Sequence, residues 1–488
     1  MILSCKKETR LMDNALLDVI ESRCDSSLDK VAITSVDHHF KYRDLLQINH
    51  EITSALLNLD VPRYTYIACA FPRRPLGAIL CLSVNEYWAA MPLPTSLQHD
   101  SVFDILHLVS VSVLLIEESQ TQVFNIATKI GFPIVIVNNL GRVIGKYPGK
   151  LGTESRKFEK HKGYALLIPT SDSTRHPKYV PLSSHNVLSA AKGIISWFNL
   201  TKNDRCFNMM PSYHVHELIS ATYATLLSNG TVINNDRLTP NEAINEINEK
   251  QPTWWTGVPT LYESIISAHE TGTKIDENAI KSVRFIRVSS APLTTSLFGR
   301  QRKNKFSSPV IHSYGLTETT SLICSLPLNM PDDKTTSVGV PVSSEIKIIN
   351  KNNYTVQPGE KGEIIIKGDS VMEGYLDIGS SDIQQPFLHN SRWFCTGDEE
   401  YFDHDGFLHI TGRFKTIIRR GGHNVSPAEI DGIVNGLEDV VSCLALSVPH
   451  PTLGEDIVCL YTKKTYTASN EAVVDSLLRL QLFDKLEG

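Results

Sequence analysis

The sequence predicts an α/β protein: a large N-terminal domain of layered β-sheets and helices with a β-rich subdomain, followed by a small, truncated C-terminal α+β domain. In the first part of the chain, short apolar runs alternate with stretches of helical periodicity, which is typical of layered α/β proteins. The pattern becomes β-rich near Ser337, and a short α+β pattern follows Gly412. We therefore expect an N-terminal domain at 1–412, with its β-rich subdomain at about 337–411, and a C-terminal domain at 413–488.

The N-terminal elements follow from apolar spacing. Residues three and four positions apart indicate one face of an amphipathic helix: Ile48, Ile52, Ala55 and Leu56. Three short apolar runs predict buried strands: Val113–Ile116, Ile134–Val137 and Ala165–Ile168.

The later elements follow from turns and caps. A turn at Gln357–Gly362 separates Glu345–Ile349 from Glu363–Lys367 and predicts a hairpin, and Asp405-Gly406 predicts another. Ser426 to Glu429 forms a capping box with proline at the first helical position. Apolar residues at helical spacing continue that helix: Ile430, Ile433, Val434 and Leu437.

Composition excludes several classes of protein. The 488 residues carry a net charge of −6, with 41% hydrophobic and 20% charged residues, so no basic surface for nucleic acid is expected. We find no run of 18 apolar residues that would span a membrane and no apolar signal core at the start. Nine scattered cysteines without a C-x-x-C pair are typical of a reduced, cytoplasmic protein.

Two segments have the residue types of an anion site. Between Ser391 and Asp431, tight turns and fixed acids lead into a basic strand and a double glycine, which suits a hydroxylated, anionic ligand. A hydroxyl-rich loop, 170–178, follows the strand Ala165–Ile168 and ends in Lys178, so its backbone N–H groups and hydroxyls could wrap phosphates. From the residues alone, a polar surface loop without a ligand explains the second segment equally well.

Taken in order, these motifs resemble one family, the adenylate-forming enzymes of the acyl-CoA synthetase type. The matching segments are T-G-D at 396–398, D-G-F-L at 405–408, G-R-F-K at 412–415 and G-G-H-N-V-S-P-A-E-I at 421–430. The resemblance runs from about Met12 to about Tyr461 and is strongest to the branch around oxalyl-CoA synthetase. It implies ATP, Mg²⁺ and CoA as cofactors and a small carboxylic acid as substrate.

The resemblance assigns the loop after Ala165–Ile168 to nucleotide phosphates. The residues that match the family's loop are Thr170, Ser171, Ser173, Thr174 and Lys178. The family's three loop glycines are replaced by Asp172, Arg175 and Tyr179. At about 5 Å from phosphate, Asp172 adds a repulsion of roughly 1–3 kcal/mol per phosphate charge.

Other matches supply the remaining roles by resemblance. In Tyr314-Gly315-Leu-Thr317-Glu318, the aromatic ring lies beside adenine, the threonine meets the α-phosphate and the glutamate meets Mg²⁺. A turn that starts a helix is the alternative interpretation of these residues. The segment Ser290-Ala291-Pro292 matches the part of the family that flanks adenine, and 254–261 matches the strand and turn before it.

The remaining matches concern ribose, the hinge and CoA. Asp398 and Arg413 match the ribose-binding pair, for which a surface ion pair is the alternative. Lys415 matches the hinge about which the small domain swings. Gly421-Gly422 matches the strand end that lines the pantetheine tunnel.

The histidine motif at His214-Val-His216-Glu217 matches the family's acyl-pocket histidine at His214. Glu217 stands where relatives near oxalyl-CoA synthetase have glycine. An ordinary half-buried histidine and an H-x-H-E metal site are the alternatives. Trp255, Val258 and His214 are candidate walls of the acyl pocket.

These motifs predict an ATP-dependent carboxylate–CoA ligase. We do not find the family's P-K-T-x-x-G-K lysine, and Lys485 lacks the proline, threonine and glycine that surround it in the family. The absence of this lysine and the absence of glycines in the phosphate loop both affect adenylation and should slow it. One alternative is a weak or inactive homologue that binds nucleotide or acyl ligand. Another is an adenylation enzyme that loads a separate carrier protein. The acid and the oligomeric state cannot be read from the sequence.

Overall fold

A computed structural model gives the fold. The described residues are 16–23, 28–71, 75–85, 87–93, 106, 109, 111–149, 163–170, 178–210, 213–235, 238–289, 300, 308–330, 334–377, 383–388, 391–413, 418–420, 423–425, 427–435, 437, 440–450 and 452–463.

Ten α-helices are described: α1 (Leu16–Arg23), α2 (Tyr42–Asn58), α3 (Pro75–Ser83), α4 (Thr121–Lys129), α5 (Ser184–Phe198), α6 (Ala224–Leu227), α7 (Pro240–Lys250), α8 (Pro259–Thr271), α9 (Glu277–Ser282) and α10 (Pro427–Asn435). A π-helix at His216–Tyr223 runs directly into α6, and a 3-10 turn spans Thr317–Thr319. Among the described helices, none is long and apolar enough to cross a membrane.

The described strands of the first half are β1 (Val31–Thr34), β2 (His39–Lys41), β3 (Tyr66–Ala70), β4 (Ala89–Leu93), β5 (Val111–Glu117), β6 (Ile134–Val137), β7 (Val143–Tyr147), β8 (Tyr164–Pro169), β9 (Tyr179–Ser183), β10 (Arg205–Asn208), β11 (Thr231–Asn234), β12 (Trp254–Gly257) and β13 (Phe285–Ser289). Those of the second half are β14 (Val310–Tyr314), β15 (Cys324–Ser325), β16 (Val340–Pro341), β17 (Glu345–Ile349), β18 (Gly362–Lys367), β19 (Tyr375–Leu376), β20 (Ile383–Gln384), β21 (Phe394–Phe402), β22 (Leu408–Arg413), β23 (Ile418–Arg420), β24 (His423–Val425), β25 (Val440–His450) and β26 (Gly454–Lys463).

Two nine-stranded sheets form the layers of the large domain. The first has the order β16-β15-β14-β13-β12-β10-β11-β1-β2, and its six strands from β14 to β1 are parallel. The second has the order β20-β19-β9-β8-β4-β3-β5-β6-β7, with β8, β4, β3, β5 and β6 parallel. The largest apolar cluster combines residues of both sheets with α2, α3, α5, the π-helix and α6. The main core therefore lies between the two sheets.

The predicted elements of this domain are confirmed. The apolar runs predicted as strands lie in β5, β6 and β8, which are almost entirely buried. The predicted amphipathic helix is α2, and its apolar face is buried at Ile48, Ile52, Ala55 and Leu56. The α/β fold class follows from this layering of helices and sheets.

A smaller sheet carries the β-rich pattern. Strands β17, β18, β21 and β22 pair antiparallel in that order, and Glu345 lies opposite Lys367 in the predicted hairpin. Gly406 has φ of +82° at the tip of the second predicted hairpin, between β21 and β22. Within 337–411, β16 joins the first large sheet, and β19 and β20 join the second.

The C-terminal unit is α+β. Strands β24, β23, β26 and β25 form a four-stranded antiparallel sheet. Helix α10 begins at Pro427 and buries Ile430 and Val434 against this sheet, as its periodicity predicts. Its predicted cap, Ser426, lies outside the described residues.

Candidate active site

The end of β14 meets the β-rich sheet at a buried carboxylate. The hydroxyl of Tyr314 donates a hydrogen bond to Asp398 Oδ2 over 2.5 Å. Asp398 is only 2% exposed, so a surface ion pair does not describe it. Arg413 is its direct partner across β21 and β22, although the Arg413 side chain lies outside the described residues. The two residues that resemble a ribose-binding pair are therefore adjacent.

A tight local turn sets the direction of Asp398. Gly397 has φ of +75°, which glycine adopts without the steric cost that other residues incur. The backbone N–H of Gly397 donates to Glu363 Oε1 over 3.2 Å, and that of Asp398 donates to Thr396 Oγ1 over 3.1 Å. These bonds fix the T-G-D segment within β21, between β18 and β22.

Gly315 lies where no side chain fits. A Cβ atom there would be 1.3 Å from the carbonyl oxygen of Ser321, because the chain doubles back over this position. The return segment has left-handed backbone at Thr320 and Ser321, with φ of +55° and +94°. Between Gly315 and this return segment, Thr317–Thr319 forms a 3-10 turn and not the start of an α-helix.

Glu318 and Lys178 meet at one tyrosine. The Tyr375 hydroxyl donates to Glu318 Oε1 over 2.7 Å, and Lys178 Nζ lies 4.8 Å from the centre of the same ring. The structure thus brings together the candidate Mg²⁺ ligand and the candidate phosphate cation. Tyr375 was missed in the sequence because β19 is only two residues long and has no motif of its own.

The neck of the candidate phosphate loop is closed by backbone pairing. The N–H of Thr170 donates to the carbonyl of Lys178 over 2.8 Å. Residues 171–177, including Ser171, Ser173, Thr174, Asp172 and Arg175, lie outside the described part. Tyr179, which replaces the family's third glycine, is buried in β9, and burial raises the pKa of its hydroxyl to about 12.

The two histidines of H-V-H have different environments. His214 is exposed and its ring lies 4.4 Å from that of Tyr213. His216 begins the π-helix and is 8% exposed. Its Nε2 is 2.6 Å from Thr256 Oγ1, and its Nδ1 is 2.6 Å from Ser289 Oγ. Burial, then Arg287 and His214, hold the pKa of His216 well below its ordinary value, so the ring is neutral.

The partners of His216 lie at the carboxyl ends of parallel strands. Thr256 pairs in register with Arg287, and Ser289 with Ser313, so these side chains share one face of the sheet. Trp255, one of the candidate walls, points to the opposite face and packs with Phe207 and Tyr262 in the core. The sequence carried one signal for Thr256 and Ser289, namely that both are polar side chains at strand ends, where ligands of α/β sheets bind.

The remaining candidate residues fall outside the described part. They are Ser290, Ala291, Pro292, Lys415, Gly421 and Gly422. No group of three His, Cys, Asp or Glu residues that could hold a metal occurs among the described residues. Magnesium bound through substrate phosphates takes only one or two protein carboxylates, so the single carboxylate of Glu318 fits that mode.

Comparisons with known proteins agree with this geometry. The sequence profile of the family "AMP-binding enzyme" matches residues 20–376. A probable CoA ligase of Humulus lupulus is 34% identical over 300 residues, which are 60% of this chain and 55% of that protein. An oxalate–CoA ligase of Arabidopsis thaliana is 33% identical over 323 residues, which are 65% of this chain and 61% of that protein. The matches therefore cover little more than half of these relatives.

The fold has close counterparts among solved structures. The ATP-bound MatB protein of Rhodopseudomonas palustris superposes with a TM-score of 0.82, covering 96% of this chain and 92% of that one at 22% identity. At that identity the likeness establishes the fold.

Proposed function

Because the chain belongs to the AMP-binding enzyme family, we propose that it is an ATP-dependent carboxylate–CoA ligase. The observation that carries the proposal is the junction of Tyr314 with the buried Asp398, which lies directly opposite Arg413. An aromatic ring beside a buried carboxylate is suited to a nucleoside, because the carboxylate can accept from both ribose hydroxyls.

The proposed reaction has two steps. A carboxylate oxygen of the acid attacks the α-phosphorus of ATP, and pyrophosphate leaves to give an acyl-adenylate. The sulfur of CoA, having lost its proton, then attacks the acyl carbon, and AMP leaves with the electron pair of the broken C–O bond. Holding the acid and the α-phosphorus in line supplies much of the catalysis.

Individual residues have distinct proposed roles in the first step. Lys178 and Thr170 bracket the phosphate loop, and Thr317 lies in the turn next to the α-phosphate. Glu318 would hold Mg²⁺, which neutralises charge on the leaving pyrophosphate. Tyr375 donates a 2.7 Å hydrogen bond to the Glu318 carboxylate, and its ring lies beneath the Lys178 ammonium.

A second candidate is a homologue that binds nucleotide but forms the adenylate slowly. Asp172 and Arg175 in place of two loop glycines favour it, because they alter the charge and the backbone freedom beside phosphate. The position of Tyr179 argues the other way, since its side chain packs in the core. A carrier-protein thiol in place of CoA is the third possibility.

The test is pyrophosphate release with ATP, Mg²⁺ and a panel of short and aromatic acids, with and without CoA. We expect release with at least one acid and formation of its CoA thioester. Asp398→Asn should slow release about 10- to 100-fold, because it removes a charge-assisted bond of about 1.5–3 kcal/mol. Glu345→Gln is the matched control, since Glu345 is exposed on the same sheet and pairs with Lys367 at the surface.

The outcomes separate the three candidates. Release from no acid, together with measurable AMP binding, would reject the ligase and favour the nucleotide-binding homologue. Release of pyrophosphate without any CoA thioester would favour the carrier-protein acceptor. Equal activity of Asp398→Asn and Glu345→Gln would remove Asp398 from the ribose site.

A further inference from the structure

Tyr375 lies on a segment that is attached to the candidate active site on both sides. On one side, the backbone N–H of Met372 donates to the carbonyl of Glu318 over 2.8 Å. On the other side, Leu376 pairs with Tyr179, which begins β9. The backbone around Tyr375 is therefore tied both to the 3-10 turn that carries Glu318 and to the strand that follows the candidate phosphate loop.

The side chain of Tyr375 contacts two candidate ligand-binding groups at once. Its hydroxyl donates to Glu318 Oε1 over 2.7 Å, and Lys178 Nζ lies 4.8 Å from the centre of its ring. All three residues are half-buried, so none of them is sealed from solvent. One rigid ring thus lies between the candidate Mg²⁺ ligand and the candidate phosphate cation.

The hydroxyl contact leaves the Glu318 carboxylate able to bind a cation. An ionised carboxylate has two oxygens with about four acceptor positions, and the Tyr375 hydroxyl takes one of them on Oε1. The hydroxyl carries no charge, so this bond does not neutralise the carboxylate. Hydrogen bonds to a carboxylate that binds metal fix its orientation, and removal of such a donor typically weakens metal binding about 10- to 100-fold.

The ring contact with Lys178 is of a different kind. The face of an aromatic ring attracts an ammonium group without neutralising its charge. Lys178 ends the neck of the phosphate loop, where its carbonyl accepts from the N–H of Thr170. Because a lysine side chain has much rotamer freedom, a contact that already restricts it reduces the entropy lost when the ammonium binds phosphate.

We propose that Tyr375 is a positioning residue that sets the carboxylate of Glu318 and the ammonium of Lys178 at a fixed separation, so that Mg²⁺ and the phosphates of ATP bind cooperatively. The inference rests on the proposed ligase function and concerns how that site binds its nucleotide. Tyr375 acts through these two residues and does not itself touch the reacting atoms.

The test separates the two contacts of Tyr375 by measuring ATP binding without acid or CoA. Calorimetry gives the factor by which saturating Mg²⁺ tightens ATP binding relative to EDTA, and we expect this factor to exceed about 10 in wild type. Tyr375→Phe removes the hydroxyl and keeps the ring. It should reduce the factor about 10-fold and leave ATP binding in EDTA unchanged.

Tyr375→Leu removes both contacts. It should reduce the Mg²⁺ factor as Tyr375→Phe does. It should also weaken ATP binding in EDTA about 2- to 5-fold, which is the usual effect of one cation–π contact at a partly exposed site. Thermal unfolding of each variant is measured first, and Tyr375→Phe, which keeps the packing of the ring, carries the test if Tyr375→Leu does not fold.

The matched control is Tyr164→Phe, which removes a different tyrosine bond to the same segment. The Tyr164 hydroxyl donates to Glu373 Oε2 over 3.0 Å, two residues before Tyr375. If the Tyr375 hydroxyl served only to hold the segment in place, both changes would lower the Mg²⁺ factor alike. We expect Tyr164→Phe to keep the wild-type factor.

Three results would overturn the inference. They are an equal Mg²⁺ factor in wild type and Tyr375→Phe, an equal decrease in Tyr164→Phe and Tyr375→Phe, and unchanged ATP binding in EDTA for Tyr375→Leu.

Failure of the ligase proposal gives a different pattern, because binding is measured apart from turnover. If no acid supports pyrophosphate release but Tyr375→Phe still lowers the Mg²⁺ factor as expected, the ligase is rejected and the inference is supported. If pyrophosphate is released but ATP binding by wild type does not depend on Mg²⁺, the ligase stands and the inference is rejected. No ATP binding by wild type would reject both.

Discussion

At the scale of single residues, Gly315 shows how the backbone limits what the site can contain. The glycine is needed because the carbonyl of Ser321 occupies the space of a side chain, in a turn that also includes left-handed Thr320 and Ser321. The hydroxyls of Ser220 and Ser321 are hydrogen-bonded, so the π-helix supports this turn from below. The turn connects Tyr314, next to Asp398, with Glu318, next to Tyr375.

Replacing this glycine should damage both stability and ligand binding. Gly315→Ala places Cβ 1.3 Å from backbone, so the turn must open. We expect a loss of more than about 3 kcal/mol in the free energy of unfolding, measured in urea, and weaker AMP binding by calorimetry. The control is Gly77→Ala in α3, where the nearest atom is 3.6 Å away and stability should rise slightly. Equal effects of the two changes would contradict the close approach.

Some site residues could be predicted from the sequence and others could not. Tyr314 and Asp398 belong to short ordered motifs, and the structure places them in contact across 84 residues of chain. Tyr375 belongs to no such motif, and Thr256 lies in the matched segment 254–261 without a role of its own. Their importance depends on which strand ends meet, and that is decided by tertiary pairing. Lys415 and Gly421-Gly422 remain predictions.

At the scale of elements, the start of α5 joins two parts of the chain. Ser183 caps the helix by accepting from the N–H of Asn186 over 3.1 Å. The amide of Asn186 also donates to the carbonyls of Asp369 and Val371, over 2.7 and 3.0 Å. Asn186 Oδ1 also accepts from the backbone N–H of Ser183 over 2.9 Å, so the Asn186 side chain both completes the cap and holds the segment that leads to Tyr375.

These bonds predict an order of stability effects. Ser183→Ala should cost about 1 kcal/mol of unfolding free energy, as is usual for a helix cap. Asn186→Ala should cost about 2–4 kcal/mol, because it leaves the part-buried carbonyl of Asp369 and the buried carbonyl of Val371 without their donor. Thr239→Ala, at the exposed cap of α7, should resemble Ser183→Ala. Chemical denaturation measures all three, and an Asn186→Ala value no larger than the other two would refute the bridging role.

Local pattern explains why elements were easier to predict than their arrangement. The apolar face of α2 follows from periodicity, and the β17–β18 hairpin follows from a turn. Each signal lies within some 20 residues of sequence. The sequence did not predict the π-helix, because this segment mixes apolar and polar residues and all of them are buried. Its form depends on the sheet beneath it.

At the scale of the whole molecule, two adjacent residues give opposite contributions to pH stability. Folding raises the pKa of Glu217 to about 8, so the folded chain binds a proton that the unfolded chain has lost. This contribution is present below pH 4.5 and is lost as pH rises to 8. Folding lowers the pKa of His216, so its contribution is lost as pH falls below about 6.5.

Glu217→Gln separates the two contributions. In wild type, the free energy of unfolding should fall by up to about 5 kcal/mol between pH 4.5 and pH 8 because of Glu217 alone. The free energy of unfolding of the variant should not show this decline, but it should still fall below pH 6.5 because His216 is unchanged. Urea unfolding at half-unit pH steps measures the difference between the two curves. Parallel curves would mean that Glu217 is ionised in the folded chain at neutral pH.

The order of strands in the large sheets illustrates the limit of sequence reasoning at this scale. Strands β1 and β11 pair in register although about 200 residues separate them, as in Ile33 opposite Val232. Alternating strands and helices predict parallel sheets, but many strand orders satisfy that pattern. The order depends on long-range packing, which short motifs do not encode.

The π-helix at His216–Tyr223 has a consequence for comparing relatives. Within a helix, removing one residue rotates everything beyond it by about 100° relative to everything before it. A relative with a one-residue gap in this segment would turn its second histidine away from the residues equivalent to Thr256 and Ser289. An alignment could then match every motif and still describe a differently built pocket. The number of residues in this segment therefore decides where the second histidine points as much as the identity of those residues does.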